Sequence, residues 1–314
     1  MYKKIFIFIL PGILLIYSLY IFSVPGEKKL ITIPENATGT QIAQTLKDNG
    51  FIISKGVFLL LSDITNSTKK LKKGTYLLSP RMNSLRILSI LRSGETYRQK
   101  ITVPEGFTSK QIAELLEQKG LTRKNDFLEV VMRKKLEGYL FPETYFIESG
   151  MAVESIANTM YAEFLKRYSS EFIKRESEIR MNTKAVITLA SIIEKEARDE
   201  KERFLISGIF HKRLNKRWLL ESCATVRFAL SKYTGELTYK DLKVNSPYNT
   251  YKYHGLPPGP ICNPGLPSIR AALYPEQTDL MFFFTDGSKT HQFSRYYESH
   301  LKGQKKNAYS RSPR

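Results

Sequence analysis

Between Ala185 and Arg198 the chain has no Gly or Pro and repeats its apolar residues at helical spacing, which predicts a helix. At about 100° per residue, Val186, Leu189, Ile193 and Ala197 fall in one stripe, with Ile192 beside it. Glu196 projects roughly 60° from the centre of that stripe, and Glu194 roughly 100°, towards its edge. A carboxyl held against an apolar wall loses hydration of its charged form, which favours the neutral state that a general acid needs. A core-edge Glu salt-bridged to a Lys or Arg fits the same pattern, and the helix alone leaves both readings open.

The pattern elsewhere divides the chain. Ile5 to Val24 is a run of twenty residues without a charge, flanked by Lys3, Lys4 and by Lys28, Lys29. At about 1.5 Å per residue it matches a hydrocarbon layer of about 30 Å, so residues 1–25 are expected to be a cytoplasmic stub and a retained single-pass anchor. A body outside the cell membrane is the expected topology.

A repeat with a period of 70 residues follows. Ile31-Thr-Ile-Pro-Glu-Asn-Ala-Thr-Gly-Thr-Gln-Ile-Ala-Gln-Thr-Leu-Lys-Asp-Asn-Gly50 aligns with Ile101-Thr-Val-Pro-Glu-Gly-Phe-Thr-Ser-Lys-Gln-Ile-Ala-Glu-Leu-Leu-Glu-Gln-Lys-Gly120 at ten of twenty positions. Each copy reads as a short strand, a Pro-containing turn, a Thr cap and an amphipathic helix ending in Gly. With a strand at 74–78 and a helix from Ser84 closed by Gly94, residues 30–98 form a small α+β module. The second copy opens a larger α+β domain, 99–314, with a basic tail.

Residues 125–180 read as helices joined by Leu136-Glu-Gly-Tyr-Leu-Phe-Pro-Glu-Thr-Tyr145, whose large side chains suggest core. A second amphipathic helix is expected from Arg203 to Leu214. Asn245-Ser-Pro-Tyr-Asn-Thr-Tyr251 then leads into Gly255-Leu-Pro-Pro-Gly-Pro-Ile-Cys-Asn-Pro-Gly265, where four prolines fix most φ angles in a rigid loop. Such a loop suits sugar recognition, and equally braces a fold. A helix from Ser268 to Ala272, a strand at 280–284, a turn at Asp286-Gly287 and the segment His291-Gln-Phe-Ser294 close the domain.

Charge and chemistry narrow the function. A net charge of +19 calls for an anionic partner or surface. No nucleic-acid motif accompanies it, so anionic lipid and acidic wall polymer fit better. A tethered nucleic-acid binder rests on charge alone. The four histidines contain no His-x-x-x-His pair, no Cys-x-x-Cys occurs, and phosphate loops and a Gly-x-Ser-x-Gly elbow are missing, so neither metal nor cofactor is expected. Cys223 and Cys262 give no disulfide framework, and whether they pair is open. Glu194 and Glu196 lie about 200° apart around their helix, so they cannot face each other across a glycosidic bond. A single acid fits a reaction in which the substrate supplies its own nucleophile.

Leu189-Ala-Ser-Ile-Ile-Glu-Lys-Glu196, Tyr248-Asn-Thr-Tyr251, the Pro-rich loop, Leu136 to Tyr145 and the closing Asp286-Gly287 and His291-x-Phe293 together resemble the endolytic murein transglycosylases of the YceG-like family. The resemblance covers essentially the whole chain. It implies a LysM-like module and cleavage of peptidoglycan strands between N-acetylmuramic acid and N-acetylglucosamine, leaving 1,6-anhydro ends. It places the acid at Glu196, with Glu194 supporting it through a pair with Arg198. Ser222, Thr225, Tyr248, Asn249, Thr250, Tyr251, Pro257, Pro258, Asn263 and His291 would hold the glycan. Peptidoglycan synthases of the same membrane are the implied partners. The alternative is a non-catalytic peptidoglycan-binding scaffold. The chain departs from the family pattern at Glu221-Ser-Cys-Ala-Thr225, where Cys223 replaces an acidic residue, and at Lys289-Thr-His291.

Overall fold

The two copies of the repeat fold alike, and the reason is local. The computed structural model describes residues 26–285 and 290–303. In the first copy, β1 (Lys29–Ile33) leads to α1 (Gly39–Asp48); in the second, β3 (Arg98–Thr102) leads to α4 (Ser109–Gln118). Thr38 and Thr108 accept from the backbone N–H of Gln41 and Gln111, and each Gln side chain bonds back to its Thr N–H. Both are capping boxes, which satisfy two orphan donors at once. Each helix is followed by a glycine at positive φ, Gly50 and Gly120.

Described by contacts, the chain divides into two units: residues 26–100 with Phe146–Met151, and Ile101–Tyr145 with the rest. In the first, β1 pairs antiparallel with β2 (Gly74–Leu78) in the register Ile31↔Tyr76. Helices α1, α2 (Lys55–Ile64) and α3 (Ser84–Ser93) complete it, and α3 stops at Gly94 with φ 75°. Ile31, Ile33, Leu46, Phe58, Tyr76 and Leu91 form its core.

The second unit contains α4 and α5 (Lys124–Lys134), then α6 (Val153–Arg167), α7 (Ser170–Glu178), α8 (Thr183–Glu196) and α9 (Glu200–Asn215). It ends with α10 (Cys223–Leu230), α11 (Leu266–Leu273) and the antiparallel hairpin of β5 (Phe282–Thr285) and β6 (His291–Ser294). One strand, β4 (Thr144–Glu148), lies where the sequence predicts only helices. Its alternating exposure and β-favouring Thr, Tyr, Phe and Ile account for it, and it pairs with β3.

Helix α8 is not the one-sided amphipath that its stripe suggests. Every residue from Val186 to Ile193 is buried, because α7, α9, α10 and α11 all pack on it. It is the axis of the core, and only its two ends emerge. The architecture is α+β with small two-stranded sheets, as expected. Among the described residues no helix is long and apolar enough to cross a membrane; the expected anchor and the turn at Asp286-Gly287 lie outside them.

Candidate active site

Glu196 is the last residue of α8, at the point where the buried helix reaches the surface. Ser222 Oγ donates a short hydrogen bond to Glu196 Oε1, and the Ala224 N–H points at the same oxygen from 3.4 Å. Ser222 occupies the N-cap position of α10 without capping it, so its hydroxyl is free to serve the carboxylate. Glu196 thus stands at the N-terminus of a neighbouring helix, where backbone N–H groups lack partners within the helix. The apolar wall expected from the stripe is therefore corrected: donors from 26 and 28 residues downstream, which no helical periodicity reveals, surround this carboxylate.

The backbone that carries this hydroxyl is itself held in place. Ser222 N–H donates to Thr250 Oγ1 at 3.0 Å, Thr225 Oγ1 donates to Ser222 O at 2.8 Å, and the two threonine hydroxyls lie 2.9 Å apart. Ser222, Thr225 and Thr250 are all buried, so this network is shielded from competing water. It fixes Ser222 against the loop before Tyr251. Beside it, exposed Cys223 places Sγ 3.1 Å from the Tyr251 hydroxyl. Burial pushes the Tyr251 phenol well above its usual range, and partial desolvation pushes the Cys223 thiol up too. Both groups are neutral near pH 7, so no acidic charge replaces the one that the family pattern carries at position 223.

Glu194 faces the other way. Its Oε2 accepts the Gly265 N–H at 3.0 Å, and its Oε1 lies 3.6 Å from Arg203 Nη2. Arg203 Nε continues to Ser268 Oγ at 3.1 Å. The ion-pair partner is thus Arg203 of α9, not the Arg198 that helical spacing suggests. Glu194 ties α8 to α9 and to the start of α11, beneath the Pro-rich loop.

The remaining sequence candidates divide into two groups. Tyr248, Tyr251 and exposed Pro258 present surface on the α10 side, with the Tyr248 and Phe228 rings 4.9 Å apart. Asn249, Asn263, Pro257 and His291 are used inside the fold. Asn249 Nδ2 donates to Leu242 O and Val244 O, and its Oδ1 accepts the Tyr251 N–H. Asn263 accepts the Leu140 N–H at 2.8 Å and donates to Phe107 O at 2.9 Å. Pro257 is buried. His291 Nδ1 meets Glu202 Oε2 at 2.7 Å, clamping the hairpin to α9. The side-chain polar atoms of Asn249 and Asn263, and Nδ1 of His291, are thus engaged within the fold.

One carboxylate escaped the sequence reading. Glu137 lies in the segment read as core, and both its oxygens accept the Ser109 N–H at the start of α4, at 3.1 and 3.2 Å. Burial lifts it from 4.5 to about 7. It lines a cavity of about 650 Å³ together with Ser109, Tyr139, Phe228, Tyr248 and Pro258. The backbone there is tightly constrained: Gly138 has φ 89°, and a Cβ on it would sit 2.4 Å from Pro260. The only sequence signal was an acid in an aromatic, Gly-containing run. Both cysteines are free, Cys262 being buried with Sγ towards Ser191 O. Among the described residues no three His, Cys, Asp or Glu side chains gather as a metal site.

Comparison with known proteins agrees along most of the chain. The sequence profile of the YceG-like family matches residues 31–306. The endolytic murein transglycosylase of Bacillus subtilis (strain 168) is 32% identical over 306 residues, covering 88% of this chain and 84% of that protein. The protein of the same name from Streptococcus pneumoniae serotype 2 is 30% identical; 83% of this chain aligns with 55% of that longer protein. A crystal structure of a yceG-like protein from Listeria monocytogenes superposes with a TM-score of 0.59 at 32% identity, covering 88% of this chain and 98% of the other.

Proposed function

This chain belongs to the YceG-like family, and from that premise we propose that it is a murein transglycosylase whose general acid and base is Glu196. The observation that carries the reading is the surface position of Glu196 at the end of a buried helix, with a hydroxyl aimed at it. In the proposed reaction Glu196, as the acid, protonates the oxygen leaving C1 of N-acetylmuramic acid. As carboxylate it then takes the proton from the 6-hydroxyl of that same sugar, which bonds to C1. One C–O bond breaks, one forms, the proton is returned, and no water is consumed.

A hydroxyl partner suits that cycle. Ser222 Oγ–H can donate to the carboxylate and accept from the acid, so neither state leaves an unmet bond. The Ala224 N–H only donates and helps the carboxylate state, which is the one that must reclaim a proton. Tyr248, Tyr251 and Pro258 offer faces and edges to the strand along α10, while Glu194 and Arg203 hold the Pro-rich loop beneath it.

The test is mass analysis of glycan strands digested by the full-length chain. Ends bearing 1,6-anhydro-N-acetylmuramic acid are expected, and Glu196→Gln is expected to abolish them while leaving the thermal unfolding midpoint within a few degrees. Survival of anhydro ends in that variant removes Glu196 from the role; binding without any product from the native chain supports the scaffold reading instead.

We further propose a single-pass anchor at residues 1–25 with the body outside the cell membrane, a LysM-like glycan-binding module at 30–98, and peptidoglycan synthases as neighbours in that membrane. Protease added to intact cells should degrade the body; complete protection would refute the topology.

A further inference from the structure

The cavity beside Glu137 holds two polar atoms that the fold leaves in need of a partner. Ser109 Oγ is buried and has no well-formed hydrogen bond. Glu137, next to it, is a buried carboxyl that takes one backbone N–H, a long contact from Asn263 Nδ2 at 3.5 Å and a loose approach from the Ser109 hydroxyl itself. A buried hydroxyl without a partner and a buried acid short of donors both disfavour the fold, so their meeting on one cavity wall calls for a ligand. The atoms are complementary in kind: one can donate, the other accepts.

The rest of the wall is aromatic and apolar, with Tyr139, Phe228, Tyr248 and Pro258 contributing. A volume of about 650 Å³ lies within the range of small-ligand sites. Two helices bound its distance from Glu196. Phe228, at the cavity wall, is four residues along α10 from Ala224, whose N–H points at Glu196, about 6 Å of helix axis, whereas Lys184, also at the wall, is twelve residues from Glu196 on α8, about 18 Å. The cavity therefore lies on the Tyr248 side, more than one sugar unit from the proposed acid.

We propose that this cavity is a subsite for a 2-acetamido sugar of the glycan strand, beyond the unit cleaved at Glu196. The inference rests on the transglycosylase reading above. An acetamido group carries one N–H and one carbonyl oxygen. Glu137 accepts the N–H, Ser109 Oγ donates to the carbonyl, and the aromatic rings cover the methyl and the pyranose face. Lys135 and Lys184, also at the cavity wall, add positive charge for the acidic groups of a stem peptide. The subsite thus gives a use to a buried acid in a segment that otherwise reads as core.

The experiment uses the full-length chain carrying Glu196→Gln, so that no cleavage intervenes, at pH 8, where Glu137 is ionised. Binding of tetra-N-acetylchitotetraose and of cellotetraose, which has a hydroxyl in place of each acetamido group, is measured by calorimetry. The acetamido sugar should bind at least about tenfold tighter. Adding Ser109→Ala, whose lost hydroxyl makes no well-formed bond in the fold, should weaken the acetamido sugar by about tenfold and leave cellotetraose unchanged. Glu137→Gln, which turns an N–H of its own towards the sugar, should act in the same selective way. Equal affinity for the two sugars, an equal loss for both, or no binding of either overturns the subsite. The transglycosylase reading is judged separately, by anhydro ends from the native chain, and survives any of those results.

Discussion

Replacing Glu137 with Gln should flatten the acid side of the stability profile. The carboxyl is buried on the wall of its cavity and lifted from 4.5 to about 7, chiefly by desolvation, against which the Ser109 hydrogen bonds pull the other way. Between those two pH values the unfolded chain has released the proton while the folded chain still holds it. The folded state binds more protons there, so stability falls as pH rises through the window, and is fully present only below pH 4.5. At about 1.4 kcal/mol for each pH unit, the interval is worth about 3 kcal/mol. Gln has nearly the same shape and does not titrate. It keeps one acceptor for the Ser109 N–H and loses the second, a cost of about 1 kcal/mol that does not vary with pH. The comparison therefore rests on slope, not level. Urea unfolding of the native chain and of Glu137→Gln, followed by tryptophan fluorescence of Trp218 in the second unit, should be run at pH 4.5, 6 and 8. The difference in free energy between the two proteins should move by about 3 kcal/mol in favour of the variant from pH 4.5 to pH 8. Parallel profiles, or a difference that moves in favour of the native chain, would refute the burial argument for this acid.

Other consequences can be checked alongside it. Ser222→Ala removes the hydroxyl from Glu196 and should lower kcat by about ten- to a hundredfold with KM little changed, since a hydrogen bond to a charged group is worth about 1.5–3 kcal/mol; a kcat within twofold of native would dismiss it as a bystander. Gly138→Ala forces a Cβ against Pro260 from a backbone that L-residues avoid, and should cost about 2 kcal/mol or more in unfolding experiments. Arg203→Met leaves the buried Glu194 carboxylate without its cation, and a loss of about 3 kcal/mol is expected; an unchanged melting temperature would show that the Gly265 N–H suffices. A thiol reagent added to the native chain should modify Cys223 alone, with Cys262 reacting only after denaturation, as counted by mass spectrometry.

What could be read from the sequence was what its own neighbourhood determines. The Thr and Gln of each repeat copy cap their own helices, and the Gly that ends each helix lies next in the chain, so both copies were legible. The Gly- and Pro-free run announced α8, and the geometry of a helix placed Glu194 and Glu196 on different sides. Their partners were hidden, because Ser222, Gly265 and Arg203 reach them through the fold. Helix α10 was missed because it is short and begins after Glu221, which adopts a left-handed φ of 52°. The stripe on α8 misled for a related reason. A helix enclosed on all sides no longer has a face, and periodicity then says little about where its last side chain points. Asn249 and Asn263 have the chemistry of sugar ligands and spend it on backbone groups, a choice that composition cannot show.

The hydroxyls of Thr250 and Thr225 hold the backbone of Ser222 behind Glu196, and all three residues are synthesised after Glu196. A ribosome-bound or truncated polypeptide ending before residue 250 would carry the acid without the scaffold that aims its partner. If Glu196 is the acid, as proposed, a chain clipped before that point should bind no partner hydroxyl at it.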